Sequence, residues 1–277
     1  MIKSPEEGSP SALVNAIEAN LFALFRMFRQ WPQAEVHDDA EVIWSITKIA
    51  FPVFNSLMRA NLAPDRIDVA IQAALERSKS RNVPILWWTG PTTQPTDLGM
   101  RLAEHGFHSE YLPGMAVELR SLPEGLSTPP GFAIERVRES ATAENWSRVL
   151  GLGFEMPAFV TQAFLDLLDS LGLEADSLFR HYVGWLNGEA VAVSSVFLDA
   201  GVAGIYNVAT LPDARGKGIG AALTLFPLLE ARALGYRIGI LHSSVMGFNV
   251  YRKLGFQEYC RIGQHVWPSS QAEGGAG

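Results

Sequence analysis

The spacing of hydrophobic residues predicts two successive series of helices and strands. Apolar residues recur at helical spacing over 11–28, whereas Val42, Trp44 and Ile46 alternate with other residues as in a strand. The first series continues with predicted helices over 66–79 and 96–105 and predicted strands over 84–88 and 115–119. Residues 1–120 therefore form a predicted domain of mixed helices and strands.

The second series begins after residues 121–131, which are rich in proline and glycine and predict a linker. Its strands are predicted over 132–137, 181–186, 190–198, 202–210 and 237–241 and from 256 onward, and its helices over 141–152, 157–171, 218–234 and 246–254. Antiparallel hairpins with one strand–helix–strand crossover indicate an α/β chain with a mixed sheet. The second domain is predicted over 132–267 and a disordered tail over 268–277. Pro227 should kink its helix.

Composition and charge exclude several classes of protein. The chain has 22 Lys and Arg against 29 Asp and Glu, a net charge of −7, which argues against a nucleic-acid partner and favours cationic partners such as amines. The single cysteine, Cys260, cannot form an intramolecular disulfide. The six histidines are not spaced as zinc ligands are, so no metal site is predicted. Because no signal peptide and no apolar run near ~18 residues is evident, we expect a cytoplasmic protein without a membrane partner.

A glycine-rich segment at 215–221, with the sequence RGKGIGA, joins a predicted strand to a predicted helix. Glycines at 216, 218 and 220 remove side chains where a ligand would approach the backbone, and a helix N-terminus favours an anion such as a pyrophosphate. A plain surface turn is the alternative interpretation. A Walker loop is excluded because Lys217 is followed by Gly218 instead of Ser or Thr.

The same glycines approach the dinucleotide-binding fingerprint through the spacing Gly216-x-Gly218-x-x-Ala221. That fingerprint needs an acidic residue about 20 positions further on, and the next strand ends in the sequence LHSS instead. Residues 211–215 also separate the glycines from the preceding strand. A nicotinamide-dependent reductase therefore remains only as a less favoured alternative.

The pattern Arg215-x-x-Gly218-x-Gly220 resembles the acyl-CoA-binding signature of the GCN5-related N-acetyltransferases (GNATs), and the segment 250–256, VYRKLGF, resembles the second signature of that family. The resemblance covers about residues 132–267. It implies the GNAT fold, acetyl-CoA as cofactor, and transfer of the acetyl group to a primary amine by direct attack. We expect a small-molecule acceptor, and the sequence leaves its identity and the oligomeric state open.

The resemblance also implies roles for individual residues. The pantetheine arm of acetyl-CoA would lie between splayed strands 202–210 and 236–242, with the Val208 amide as the oxyanion contact. Tyr251 would protonate the leaving thiolate. The implied cofactor-binding residues are Val208, Ala209, Thr210, Arg215, Gly216, Lys217, Gly218, Ile219, Gly220, Ala221, Ser244 and Tyr251.

Three positions depart from the family pattern. Ser244 replaces an asparagine that often contacts the cofactor arm, and Gly247 replaces an alanine. Gly204 stands where some members have a glutamate base, so the base is unassigned. Candidates for the acceptor side, by location, are Glu155, His181 and Asn207, and a water chain is an alternative. A non-catalytic acyl-CoA sensor or scaffold is the corresponding alternative function.

The two halves of the chain resemble each other. Residues 102–107, LAEHGF, resemble 251–256, YRKLGF, and 62–66, LAPDR, parallel 211–215, LPDAR. In the first half the glycines are replaced by 67–71, IDVAI, whose aspartate would repel a phosphate. We therefore predict a tandem chain whose N-terminal half is a degenerate GNAT-like domain that shapes the acceptor pocket.

Overall fold

The computed structural model of the chain describes residues 9–268, so the predicted disordered tail lies outside the described residues beyond Pro268. The chain forms two compact units. Unit 1 comprises Met1–Leu24 and Pro113–Tyr259, and unit 2 comprises Phe25–Leu112 and Cys260–Gly277. This division differs from the predicted one, which separated the halves at 121–131, because each unit contains segments from both halves.

Every helix and strand expected from the hydrophobic pattern is present. The helices are α1 (Pro10–Arg26), α2 (Ile67–Arg81), α3 (Leu98–Glu104), α4 (Ser140–Gly153), α5 (Ala158–Leu171), α6 (Ile219–Ala233) and α7 (Phe248–Lys253). The strands are β1 (Glu35–Asp38), β2 (Ile43–Ile46), β3 (Ser56–Met58), β4 (Ile85–Thr89), β5 (His108–Glu118), β6 (Phe132–Arg136), β7 (Phe179–Leu186), β8 (Glu189–Asp199), β9 (Val202–Thr210), β10 (Ile238–His242) and β11 (Gln257–Trp267). The pattern missed β1, β3 and the first part of β5.

The sheet of unit 1 has the strand order β5-β10-β9-β8-β7-β6. Neighbouring strands are antiparallel except β9 and β10, which are parallel and joined by α6. Helix α6 lies on one face, where Ser194 of β8 reaches it. Helix α4 lies on the other face, where Trp146 packs against His181 of β7. The α6 face holds an apolar cluster, and the α4 face includes the buried polar side chains of His181 and Ser195.

Unit 2 repeats the central part of this arrangement. Its strands β3 and β4 are parallel and are joined by α2, and α3 follows β4. Side chains from these elements, among them Ile71, Trp87 and Leu102, form one buried apolar cluster. The order strand, helix, parallel strand, short helix is the same as that of β9, α6, β10 and α7, which supports the predicted internal repeat.

Helix α1, with the turn that follows it (Pro10–Gln30), is the one helix among the described residues that is long and apolar enough to cross a membrane. This corrects the expectation that no apolar stretch reaches that length. The core helix of a soluble protein meets the same criterion. In the structure Ile17, Asn20 and Leu21 are buried, and Asn20 Nδ2 donates to the carbonyls of Phe197 and Asp199 at 3.3 and 3.0 Å.

Pro227 is accommodated inside α6 by a side chain from the sheet. A proline has no N–H, so the carbonyl of Leu223, four residues earlier, loses its helical partner. The Ser194 hydroxyl donates to that carbonyl at 2.7 Å, and both Ser194 and Leu223 are fully buried. The cost expected for a proline at this position is thus partly offset by a hydrogen bond from β8.

We expect Ser194→Ala to lower the free energy of unfolding by about 1–3 kcal/mol, because the Leu223 carbonyl would stay buried without a donor. Urea denaturation measures the change. Ser121→Ala is the matched control, since Ser121 also donates to a carbonyl, that of Glu118, but at an exposed position. Equal losses in the two variants would contradict this account of Pro227.

Candidate functional site

The parallel strands β9 and β10 separate part way along their length. Their ladder joins Ala203, Gly204 and Ile205 to residues 239–241. Strand β9 then continues to Thr210, whereas β10 ends at His242, and within residues 9–268 no ladder joins them beyond Ile205. The backbone edge of β9 from 206 to 210 is therefore open on this side, where the pantetheine arm was expected.

A β-bulge interrupts β9 at the open edge. Val193 of β8 faces Ala209 and Ser195 faces Tyr206, so two residues of β9, Asn207 and Val208, lie opposite the single residue between them. Asn207 has φ of 55°, in the left-handed region that asparagine tolerates better than most residues. The bulge takes Val208 out of the regular register of the ladder, at the residue expected to supply the oxyanion amide.

The glycine-rich loop leads from β9 into α6 with its backbone exposed. Gly216 and Gly218 have φ of 75° and 78°, and residues 215–218 are exposed. An added Cβ at Gly216 would meet open space, and one at Gly218 would meet only the Ser127 carbonyl at 3.4 Å. Gly218 is the N-cap of α6, so the amides of the first helical turn have no carbonyl partner within the helix. This geometry suits an anion.

The basic side chains of the loop stabilise its conformation. Arg215 Nε donates to the Thr210 carbonyl at 3.0 Å, and Lys217 Nζ donates to the Asp213 carbonyl at 2.9 Å. Thr210 Oγ1 lies 3.4 Å from the position of an added Cβ on Gly220. The backbone amides and two positively charged side chains therefore lie together at the loop where an anion is expected to bind.

Tyr251 lies on α7 in the same apolar cluster as Ile219, with Val208 packed against that cluster. It is 8% exposed, and burial raises the pKa of its hydroxyl to about 12. Within the described residues the hydroxyl has no hydrogen-bonding partner. An added Cβ at Gly247 would lie 2.6 Å from the Tyr251 ring, so glycine at 247 makes room for the ring. This explains one departure from the family pattern.

Ser244, expected among the cofactor-binding residues, lies in the turn that precedes α7. Its Oγ accepts from the Gly247 amide at 3.2 Å, and its carbonyl accepts from the Phe248 amide at 3.1 Å. The residue is exposed. The observed role is structural, and contact with a cofactor arm stays a prediction.

The position of the missing glutamate base, Gly204, is filled from the N-terminus of the chain. An added Cβ at Gly204 would lie 2.1 Å from Asn20 Oδ1 and 2.7 Å from the Tyr206 ring. The Tyr206 hydroxyl donates to Asn20 Oδ1 at 2.8 Å, and burial raises the pKa of Tyr206. The sequence analysis missed Asn20, because nothing local to α1 indicates that it faces β9.

His242 is a second residue that the sequence analysis missed at this place. It ends β10, and its ring lies edge-on to the Tyr206 ring with centroids 6.2 Å apart. Burial lowers the pKa of His242 to about 4, so the imidazole is neutral at pH 7. Tyr206 and His242 are thus neutral polar groups beside the open edge of β9.

Glu155 lies in the exposed turn between α4 and α5, with φ of 54°. Three large apolar residues are also exposed in this turn or at the adjoining helix ends: Leu152 of α4, Phe154 and Phe159 of α5. The turn lies close to β9, because an added Cβ at Gly153 would be 2.7 Å from the Ala209 Cβ. An amine with an apolar portion would find both a carboxylate and apolar surface here.

His181, the other histidine proposed for the acceptor side, is buried inside unit 1. Burial, assisted by the nearby charge of Arg136, lowers its pKa to about 3. Its Nδ1 is hydrogen-bonded to Ser195 Oγ at 2.8 Å. The structure therefore places His181 under the sheet surface, away from solvent, while Asn207 lies at the bulge.

In unit 2 the corresponding edge is closed by the chain itself. Beyond β3, the Gln94 amide donates to the Ala60 carbonyl at 2.9 Å, and the Leu62 amide donates to the Gln94 carbonyl at 3.0 Å. The start of α2 carries Ile67 and Asp68 instead of glycines. Gln94 thus occupies the backbone positions that β9 leaves open in unit 1.

Across residues 9–268, no group of three or more His, Cys, Asp or Glu side chains is placed to hold a metal ion.

Comparisons with known proteins agree with this fold. Residues 177–258 match the family model described as an acetyltransferase (GNAT) domain. A GCN5-related N-acetyltransferase from Kribbella flavida has a similar structure, with a TM-score of 0.70 and 17% identity over 94% of this chain and 98% of that one. One from Sphaerobacter thermophilus gives a TM-score of 0.61 and 17% identity over 96% of both chains.

A tandem GNAT protein from the clavulanic acid biosynthesis pathway is also similar, with a TM-score of 0.58 and 13% identity over 96% of both chains. No curated protein matches the sequence. The chain therefore has the GNAT fold, residues 177–258 match the GNAT acetyltransferase domain, and the resemblance predicted from the sequence is confirmed. The domain match over 177–258 supports acyl transfer in general.

Proposed function

We propose that the protein is an acetyl-CoA-dependent N-acetyltransferase whose reaction takes place in unit 1. The observation that carries the proposal is the combination of an open β9 edge with an exposed glycine loop at the N-terminus of α6. An acyl thioester on a pantetheine arm needs backbone partners along its length, and its diphosphate needs amide donors at its end. The open edge of β9 has the backbone partners, and the loop over 215–221, which follows β9 in the sequence, has the amide donors.

Val208 and Tyr251 of unit 1 would have separate roles in the acetyl transfer. The acceptor amine attacks the thioester carbonyl carbon, a C–N bond forms, and the Val208 amide donates to the oxygen as it becomes negative. The C–S bond then breaks, and Tyr251 gives its proton to the departing sulfur and regains one from solvent. The amine nitrogen loses a proton to water, which leaves an amide and the free thiol of coenzyme A. Val208, Ala209 and Thr210, with the loop over 215–221, would hold the acyl donor.

The acceptor would approach from the α4 face. Glu155 and the exposed apolar side chains of its turn suit a small primary amine with an apolar portion. The net charge of −7 also favours a cationic acceptor in solution.

Release of free thiol from acetyl-CoA tests the proposal. Purified protein is mixed with acetyl-CoA and, one at a time, an arylalkylamine, an amino sugar, a polyamine and a peptide with a free N-terminus. We expect thiol release that depends on one of these amines and an acetylated product detectable by mass spectrometry. Absence of acetyl-CoA binding in calorimetry would overturn the proposal.

A non-catalytic acyl-CoA sensor is the second candidate, and it is favoured by the filled position at Gly204. Asn20 and Tyr206 occupy the space of the family's glutamate base. Tight binding of acetyl-CoA without thiol release on any amine would select this function.

We expect the chain to bind one molecule of acetyl-CoA, because Gln94 closes the backbone edge of unit 2 and Asp68 opposes an anion at the start of α2. Isothermal titration calorimetry and native mass spectrometry measure the ratio. Two bound molecules per chain would contradict this expectation, whereas no binding at all would contradict the proposed function instead.

A further inference from the structure

Three polar side chains on adjacent strands of unit 1 form a continuous hydrogen-bonded chain. Ser195 of β8 lies directly opposite His181 of β7, and their side chains are joined at 2.8 Å. On the other side, Asn207 Nδ2 donates to Ser195 Oγ at 3.4 Å. The chain runs from the interior of the sheet to the bulge of β9.

The inner end of this chain is rigidly held. His181 is packed edge-on against Trp146 of α4, with ring centroids 4.8 Å apart, and against Phe179, with centroids 4.4 Å apart. A neutral imidazole accepts at one nitrogen, so the Ser195 hydroxyl, which accepts from Asn207, is able to donate to His181 Nδ1. In the tautomer with Nδ1 unprotonated, all three groups have consistent donor and acceptor roles.

The outer end lies at a residue with positive φ. Asn207 has a left-handed φ of 55°, and such a conformation persists only where its surroundings hold it. Its side chain bonds to Ser195, and the next residue is Val208. Rotation of residue 207 would turn the peptide group between 207 and 208, whose N–H is the Val208 amide.

We propose that His181, Ser195 and Asn207 are positioning residues that hold the Val208 amide in the orientation required by the acyl carbonyl. This inference rests on the proposed function. It reassigns His181 and Asn207 from the acceptor side, where sequence location placed them, to the backbone that contacts the acyl group. Their action is on Val208, and none of the three contacts the reacting atoms.

Ser195→Ala tests the network, because it removes both hydrogen bonds at once. We expect kcat to fall about tenfold, with the KM and the dissociation constant of acetyl-CoA within about twofold of wild type, since the loop over 215–221 is unchanged. Ser194→Ala is the matched control: Ser194 is the next residue, is equally buried and bonds to α6. It should reduce stability and leave kcat unchanged.

Asn207→Gly distinguishes the effect of the side-chain hydrogen bond from that of the backbone conformation. Glycine adopts positive φ without strain but cannot form a hydrogen bond to Ser195. We expect its kcat to fall as in Ser195→Ala. The double variant should be no slower than either single variant, since both changes break the same link. If the fold-decrease in kcat of the double variant equalled the product of the two single decreases, the proposal would be overturned.

A second readout does not depend on turnover. In ¹⁵N–¹H spectra of the whole chain, the Val208 amide resonance should move further in Ser195→Ala than in Ser194→Ala, although Ser194 is the residue of β8 opposite the bulge. If wild type releases no thiol with any amine, the proposed function fails, and this resonance alone decides on the network. A folded Ser195→Ala protein with an unmoved Val208 resonance, or with wild-type kcat, overturns the inference.

Discussion

Replacing Gly218 by valine should raise the dissociation constant of acetyl-CoA about 100-fold, equivalent to about 2.7 kcal/mol. Gly218 is the N-cap of α6 with φ of 78°, where a β-branched residue is strained. The added side chain would also stand over the amides expected to bind the diphosphate. The corresponding residue of the predicted repeat is Val69, so the variant gives unit 1 the residue found in unit 2. Calorimetric titration with acetyl-CoA measures the effect.

Gly235→Val is the matched control at the other end of α6. Gly235 has φ of 95°, and an added Cβ there meets open space. Both variants therefore carry the strain of a valine in the left-handed region, but only position 218 faces the loop. We expect similar losses of stability in both and weaker cofactor binding in Gly218→Val alone. Equal binding by the two variants would show that the diphosphate lies elsewhere.

The parts of the fold that sequence analysis predicted correctly are those with strong local signals. Strand β9 was predicted with its exact bounds, and α6 within one residue at each end, because long apolar patterns and glycines mark them. The GNAT resemblance depended on the same segment. The glycines that expose the main chain of the loop over 215–221 can be identified directly in the sequence.

Short or exposed strands could not be predicted. Strand β1 (EVHD) has only one aliphatic residue, β3 has only three residues, and residues 108–111 of β5 are exposed. Strand β1 pairs with β2, and β3 pairs with β2 and β4, so their strand conformation depends on pairing between strands and not on their own residues alone. The units differ from the predicted domains for the same reason, since Met115 of β5 pairs with Leu241 of β10.

Side-chain partners at the candidate site were the least predictable feature. The reason for glycine at 204 is Asn20, a residue of the N-terminal helix that reaches β9 only in the folded chain. The bulge at Asn207 was equally hidden, because asparagine occurs in loops, turns and strands alike. His181 was a candidate because imidazole is a common catalytic group, and only the folded structure reveals that its side chain is buried.

Tyr251→Phe should lower kcat about 100-fold while the acetyl-CoA dissociation constant stays within about twofold, because only the proton donor to the leaving sulfur is removed. The phenyl ring keeps the packing of Tyr251 against Phe256, whose ring centroid is 6.0 Å away. Since burial raises the pKa of Tyr251 to about 12, the hydroxyl remains protonated across the accessible pH range. Wild-type kcat should therefore not decline between pH 8 and about 10 through loss of this proton.

Tyr236→Phe provides the control, because Tyr236 is also a partly buried tyrosine of unit 1, with its hydroxyl donating to the Leu198 carbonyl at 3.3 Å. Steady-state kinetics of both variants, with binding measured separately, distinguishes a chemical role from packing. If Tyr251→Phe weakened acetyl-CoA binding and left kcat unchanged, Tyr251 would contribute to cofactor binding and not to the chemical step. Another proton donor would then have to serve the sulfur, since a thiolate of coenzyme A leaves far more readily when it is protonated as the C–S bond breaks.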